Sequence, residues 1–355
     1  MQAIILVGGE GTRLRPLTLN RLKATVPLLG QPFLAYQFAW LKSYGFSQIT
    51  LSLCHKSQEI KKIFGTGKKY GVKLNYALEK EPLGTAGAIR NAITTIKSKA
   101  PVVVLNGDIL TAMNLKQMLL SHKRQKAVLT IALAWVKDPS RYGLVEVKAG
   151  KRVKSFLEKP SSNEKDNHWI NAGVYILEPE ILAEISANTN CSAEREFFPK
   201  IITQHKRVFA FPTHNYWLDI GTPAKYLQAH LDILEGKVFK LSRSKNFQYP
   251  TKVRLGKKCK IHSTANLYAP TILDQECQVA AESRIGDFSV LGKRVRVGSH
   301  VNIERAVILD DVTIAEGARL SDCIIGSGCK IGRFVNVSSG VVLGDNTIIS
   351  DYSQI

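Results

Sequence analysis

Gly8, Gly9 and Gly11, with Arg13, Arg15, Arg21 and Lys23 close behind, form the most chemically loaded stretch of the chain. They follow the apolar run Ala3-Ile4-Ile5-Leu6-Val7. Glycines directly after a buried strand let backbone N–H groups meet a phosphate, and the cations suit a ligand with several negative charges. Two common phosphate loops fail on spacing. A dinucleotide loop needs G-x-G-x-x-G; Gly9 and Gly11 fit it, but Leu14 stands where the third glycine must be. A P-loop needs G-x-x-x-x-G-K-[ST], and no Gly-Lys-Ser/Thr follows here. What remains is a long basic loop that holds a polyphosphate and takes part in its reaction.

The elements around this loop read as alternating strands and helices. Residues 2–7, 48–53, 73–78 and 102–106 are short and apolar, and between them lie the amphipathic stretches Phe33–Tyr44, Gln58–Phe64 and Thr85–Ile96. That order predicts a largely parallel sheet covered by helices, with ligands at the carboxyl ends of its strands. Val102-Val103-Val104-Leu105 runs into Asn106-Gly107-Asp108, which sets a carboxylate at that edge.

A chain of 355 residues with 45% hydrophobic content is long enough for two domains with cores of their own. The N-terminal apolar run is too short for a signal peptide, and no run approaches transmembrane length, so the expectation is a cytoplasmic protein without a membrane partner. Six cysteines without a C-x-x-C pair or a histidine cluster indicate neither zinc nor a disulfide framework. The net charge of +20 is uneven: residues 1–250 carry a surplus of 18 positive charges and residues 251–355 a surplus of 2. The basic part can steer anions. No basic stretch is interleaved with aromatics, so no nucleic-acid partner is expected.

Beyond residue 250 the period changes to six. From Leu255, every sixth residue is apolar through Ile303; the register slips by one to Ile308, Ile314 and Leu320, and again to Ile325, ending at Ile355. Four residues after each apolar position stands a small or β-branched residue, as at Cys259, Ala265, Thr271, Cys277 and Ser283. Such a hexapeptide repeat predicts a parallel β-helix. It places Cys259, Cys277, Cys323 and Cys329 in the coil interior, away from redox chemistry. The domain reading is 1–240 catalytic, 241–254 linker and 255–355 repeat.

With these motifs in order, the chain resembles the sugar nucleotidyltransferases, also called nucleotide-sugar pyrophosphorylases, and within them the mannose-1-phosphate guanylyltransferases. The resemblance implies a Rossmann-like, mixed and mostly parallel sheet domain followed by a left-handed β-helix. It implies that Gly8, Gly9, Gly11 and Thr12 wrap a nucleoside triphosphate, and that Arg13 and Lys23 contact its phosphates and the departing pyrophosphate as the catalytic cations. Glu79, Gly84 and Thr85 then line the base pocket. Asp108 and Asp219 hold a magnesium ion, Asp108 on the nucleotide side, and Gly143, Glu158, Lys159 and Asn171 form the sugar-phosphate site. One departure stands out: Leu22-Lys23-Ala24 occupies the place where the family usually has Pro-Lys-Pro.

The implied reaction is attack by a sugar-1-phosphate oxygen on the α-phosphorus of the triphosphate. A phosphate monoester has a second pKa of about 6, so the nucleophile is already anionic at neutral pH and needs no general base. Catalysis then rests on positioning and charge neutralisation. Guanine presents two adjacent donors on its Watson–Crick edge, which suits an acceptor-only carboxylate at Glu79 and favours GTP. The same reaction with another base or hexose, giving an ADP-, UDP- or dTDP-sugar, stays open beside it, as does a regulatory sugar-nucleotide-binding subunit without activity. Hexapeptide domains also build acyltransferases with a catalytic histidine. Here His262 and His300 fall at variable repeat positions, so the domain is read as an assembly or regulatory element that makes the protein a homo-oligomer.

Overall fold

The computed structural model describes residues 2–54, 57–96, 100–157, 168–204, 207–238 and 252–355. They form two compact units. One comprises Met1–Gly9 and Gln37–Trp217, the other Glu10–Tyr36 and Leu218–Ile355.

The first unit is built on a nine-stranded sheet among the described residues. Its order is Lys73–Leu78, Gln48–Leu53, Gln2–Leu6, Val102–Asn106, Trp169–Leu177, Leu129–Trp135, Val208–Thr213, Arg152–Leu157 and Leu144–Lys148. The first four run parallel, and Trp169–Leu177 joins Val102–Asn106 antiparallel. The four parallel strands are those the apolar runs predict, within one residue at each end. The β-branched, two-sided apolar run Val102-Val103-Val104 suits a strand covered on both faces, and all three side chains are fully buried or nearly so. Helices Phe33–Ser43, Ser57–Phe64 and Gly84–Ile93 connect the strands. Their order puts the carboxyl ends Leu6, Leu53, Leu78 and Asn106 along one edge.

In the second unit the hexapeptide pattern becomes three parallel sheets of six, six and five short strands. Leu255 pairs with Leu273, Leu273 with Leu291, and Leu291 with Ile308, so the apolar positions stack in columns. Coils of eighteen residues give way to coils of seventeen where Leu291, Val297 and Ile303 meet Ile308, Ile314 and Leu320. The two register slips read from the sequence are thus shortened corners. The corners at Arg305 and Asp322 flank those slips, and their side chains pair at 2.8 Å.

At several of the small positions four residues on, the side chain has a definite task. Thr271 Oγ1, Cys277 Sγ, Ser283 Oγ and Cys329 Sγ each donate to the carbonyl fifteen residues later, at 2.8, 3.0, 2.6 and 3.0 Å. A short side chain with a donor fits inside the coil and satisfies a carbonyl the sheets leave unpaired. All six cysteines are free thiols. Burial pushes the Cys277 and Cys323 thiols up to about 12. His300 is a corner residue at φ 57°, and His262 Nδ1 bonds Thr264 Oγ1 at 3.0 Å in another turn. Both are exposed and turned out of the coil.

No described helix is long and apolar enough to cross a membrane.

Candidate active site

The loop glycines divide by physical need. A side chain at Gly11 would stand 2.9 Å from Lys23 Cβ, and its φ of 70° is left-handed. Gly11 is therefore required by the loop itself. At Gly9 nothing lies within 4 Å of where a Cβ would be, and at Gly8 only Cys54 Cβ at 3.9 Å. Neither has a positive φ. Packing gives no reason for glycine at these two positions, where the backbone is unobstructed.

On the carboxyl edge of the first unit, Leu6 and Asn106 are in register. Gly8 and Gly9 therefore leave one strand beside the strand that delivers Asp108. The Gly107 N–H donates to the Leu6 carbonyl at 2.9 Å, and a Cβ on Gly107 would collide with that oxygen. The turn is braced from below by a residue the motifs did not reveal. Gln37 is 3% exposed, and its Nε2 donates to the carbonyls of Asn106 and Ile109 at 2.9 and 2.8 Å, one on each side of Asp108. The only sequence signal was a glutamine within the apolar helix Phe-Leu-Ala-Tyr-Gln-Phe-Ala-Trp.

Glu79 opens the loop after the strand Lys73–Leu78 and is half-buried. Its Oε1 accepts from Ser52 Oγ at 3.0 Å and its Oε2 from the Leu83 N–H at 3.1 Å. The carboxylate is held in one orientation, and each oxygen keeps a second lone pair. Its charge, after burial, also raises the pKa of the Cys54 thiol. Gly84 has φ 68°, and a Cβ there would press on the Cys191 carbonyl at 2.5 Å. Thr85 uses its hydroxyl internally: it donates to Glu194 Oε2 at 2.6 Å and accepts from the Ala193 N–H at 2.7 Å. Its side chain anchors the helix start to the segment after Cys191.

In the segments expected to hold the sugar phosphate, Asn171-Ala172-Gly173 is a bulge where the pairing with Leu129–Trp135 skips. Asn171 folds onto it, with Nδ2 donating to the Tyr175 hydroxyl at 2.7 Å and Oδ1 accepting from the Gly173 N–H at 3.0 Å. The Asn171 N–H reaches the Gly143 carbonyl at 2.9 Å, which ties the two predicted segments together. A Cβ at Gly173 would stand 2.7 Å from Asn106 Nδ2, so the bulge rests directly on the Asp108 turn. Asn106 Oδ1 is buried there with no protein partner. Trp217 Nε1 donates to the Ala172 carbonyl at 2.8 Å. Glu158 and Lys159 lie outside the described residues.

In the second unit, Thr222 caps the helix Pro223–Leu234 through the Lys225 N–H, with proline at the first turn. The cap fixes the chain just after Asp219. Lys225, one turn into the helix, forms an ion pair with Asp219 Oδ1. A Cβ at Gly221 would lie 2.9 Å from Asp219 Oδ2 and 3.5 Å from Arg13 Nη2. Gly221 thus leaves a gap bordered by the Asp219 carboxylate and the Arg13 guanidinium. Lys225 was not among the motif residues, and no local sequence signal pointed to it. Thr12 and Arg13 belong to a short 3-10 turn, Thr12–Leu14, and Lys23 begins another, Lys23–Thr25. Among the described residues no group of three or more His, Cys, Asp and Glu side chains could hold a metal ion.

A glycine-rich loop and an aspartate on the carboxyl edge of a mostly parallel sheet, followed by a coil of hexapeptide repeats, define a nucleotidyltransferase joined to a β-helix. Residues 2–236 match the nucleotidyl transferase family, and the chain belongs to it; residues 250–355 match the left-handed β-helix domain of the EIF2B epsilon subunit. Mannose-1-phosphate guanylyltransferase of Mycobacterium tuberculosis is 31% identical over 89% of this chain and 82% of its own. The catalytic subunit beta of the Drosophila melanogaster enzyme of that name is 33% identical over 91% and 83%. D-glycero-alpha-D-manno-heptose 1-phosphate guanylyltransferase of Aneurinibacillus thermoaerophilus is 38% identical over 66% of this chain and 98% of its own. Among solved structures, HddC from Yersinia pseudotuberculosis superposes with a TM-score of 0.57 at 32% identity, covering 64% of this chain and 97% of that one. The same protein complexed with GMP-PN gives 0.56.

Proposed function

We propose that this protein transfers a guanylyl group from GTP to mannose 1-phosphate, giving GDP-mannose and pyrophosphate. The observation that carries the reading is the register of Leu6 with Asn106, which sets the unencumbered glycines Gly8 and Gly9 beside Asp108 on one strand edge. Relatives named for this reaction match about nine-tenths of the chain.

The residues take these roles. Main-chain N–H groups of Gly8, Gly9, Gly11 and Thr12 bind the triphosphate, and Arg13 and Lys23 neutralise its phosphates and the leaving pyrophosphate. Gly84 and Thr85 border the base through their backbone, since the Thr85 hydroxyl is already engaged. Glu79, oriented by Ser52 and Leu83, receives the guanine N1–H and N2–H. Gly143, Asn171, Glu158 and Lys159 hold the sugar phosphate.

Asp108 and Asp219 are the two carboxylates we assign to a magnesium ion. Hard oxygen donors in so small a number suit magnesium, which keeps substrate phosphates and water as its other ligands. That Asp219 already takes an ammonium as partner supports a cation there. When bound, the ion would supply charge neutralisation between two polyanions. The residues present orient the sugar-phosphate oxygen towards the α-phosphorus and exclude other approaches. The six free thiols support work in the reducing cytoplasm. Exposed Phe334 and Tyr352, stacked at 5.4 Å on the coil, support assembly of several copies through it.

The relative named for a heptose favours a second reading, in which the acceptor is a manno-heptose 1-phosphate. Incubation with GTP and each acceptor in turn, with chromatographic detection of the GDP-sugar, separates the two. A GDP-heptose formed faster than GDP-mannose would replace the first reading by the second.

A further inference from the structure

The loop carrying Arg13 and Lys23 belongs to the same compact unit as the hexapeptide coil, and two of its residues rest on one turn of that coil. Arg21 Nη2 donates to Asp345 Oδ2 at 2.5 Å and to Ser327 Oγ at 3.2 Å. Asp345 is itself held, because its Oδ1 accepts the Ser327 N–H at 2.8 Å. The two side chains are only 17% and 9% exposed. The neighbouring Gly344 meets the other contact: a Cβ there would stand 3.2 Å from Pro16 Cβ. The coil turn Gly344-Asp345 therefore touches the loop at Pro16 and at Arg21.

Between and beyond these points the loop is internally coupled. Thr18 Oγ1 donates to the Gly11 carbonyl at 2.7 Å, and Gly11 packs against Lys23. Lys23 stands two residues after Arg21, at the start of the turn closed by the Thr25 N–H on the Leu22 carbonyl at 2.9 Å. Leu22 and Ala24 flank Lys23, so no proline restricts φ on either side. A part-buried, charge-assisted pair two residues away restrains the segment instead.

We propose that Asp345 is a positioning residue for nucleotidyl transfer: by gripping Arg21 it fixes the loop that presents Lys23 and Gly11 to the triphosphate. Arg21 is thereby withdrawn from phosphate binding, and the β-helix becomes part of the machinery that shapes the nucleotide site. The proposal rests on the reading of this loop as the triphosphate loop.

The test uses the full-length protein with Arg21→Gln, Asp345→Asn, the double variant, and the charge exchange Arg21→Asp with Asp345→Arg. Losing a hydrogen-bonded charge pair of this kind changes an equilibrium by about tenfold. The KM for GTP should rise about that much in each single variant, while the KM for the sugar phosphate stays at its wild-type value. The double variant should be no worse than either single one, and the exchange should recover part of the loss. Independently of turnover, amide hydrogen exchange in residues 11–25 should quicken in both single variants of the ligand-free protein, with the coil amides unchanged. Wild-type KM for GTP and wild-type exchange in the loop would overturn the proposal. So would equal rises in both KM values, or quickened exchange across the whole coil, which mark general destabilisation. If the wild-type protein turns over no triphosphate, the functional reading fails by itself, and the exchange measurement still decides whether the tether orders the loop.

Discussion

Asp219 and Glu79 are both held by neighbours before any substrate arrives, and those neighbours shape what substitution does. Asp219 pairs with Lys225 and borders Arg13 across Gly221. Asp219→Asn and Asp108→Asn should each lower the turnover rate by roughly a hundredfold or more, the scale of losing one charge-stabilising group, with the melting temperature little changed. Near-normal rates with magnesium present would remove both from the metal site. Glu79→Gln keeps the shape but must point an amide NH2 at a guanine donor, at Ser52 or at the Leu83 N–H. Its preference for GTP over ATP should shrink, as read from the ratio of kcat/KM values; an unchanged ratio would release Glu79 from base recognition. These residues were visible as candidates through motif order. Gln37 and Lys225 were not, since their roles arise from contacts that local sequence does not encode. A glutamine on the buried face of an apolar helix looks like a packing imperfection until the carbonyls of Asn106 and Ile109 are seen at its amide.

At the level of elements, repeats and short apolar strands carried their own signatures, and longer runs did not. Leu129-Thr130-Ile131-Ala132-Leu133-Ala134-Trp135 is a run apolar but for Thr130, whose periodicity does not separate strand from buried helix, and it proved to be a central strand. Arg152–Leu157 and Leu144–Lys148 escaped for the opposite reason, because an antiparallel hairpin at the sheet margin has a mixed pattern. The coil is the clearest success, and its interior thiols give a test. Since burial raises Cys277 and Cys323 to about 12, both stay protonated near pH 8 and should resist iodoacetamide until the coil is unfolded. Labelling of either at the rate of a free peptide thiol would contradict the interior assignment. In the helix Pro223–Leu234, His230 is fully buried, and burial lowers its pKa to about 3. The unfolded chain takes up that proton near pH 6.5 while the folded chain does not. Its contribution to stability is therefore complete above pH 6.5 and declines as pH falls towards 3. The melting temperature should drop over that window in the wild type and drop less in His230→Gln; parallel curves would exclude His230 as a source of the acid sensitivity.

For the whole molecule, sequence order and compactness divide the chain differently. The family matches run 2–236 and 250–355, whereas Glu10–Tyr36 packs in one unit with Leu218–Ile355. A linear reading cannot anticipate this, because the pairing of Arg21 with Asp345 joins residues 324 apart. HddC is covered almost entirely by the part of this chain that it matches, 64% of the whole. Guanylyl transfer to a sugar 1-phosphate is tested by pyrophosphate release from the full-length protein over a grid of GTP, ATP, UTP and dTTP against mannose, glucose and manno-heptose 1-phosphates, with magnesium. kcat/KM should be highest for GTP with mannose 1-phosphate, and Asp108→Asn should cut release in that well by roughly a hundredfold or more. ATP, UTP or dTTP clearly ahead of GTP, or no release in any well, would contradict it.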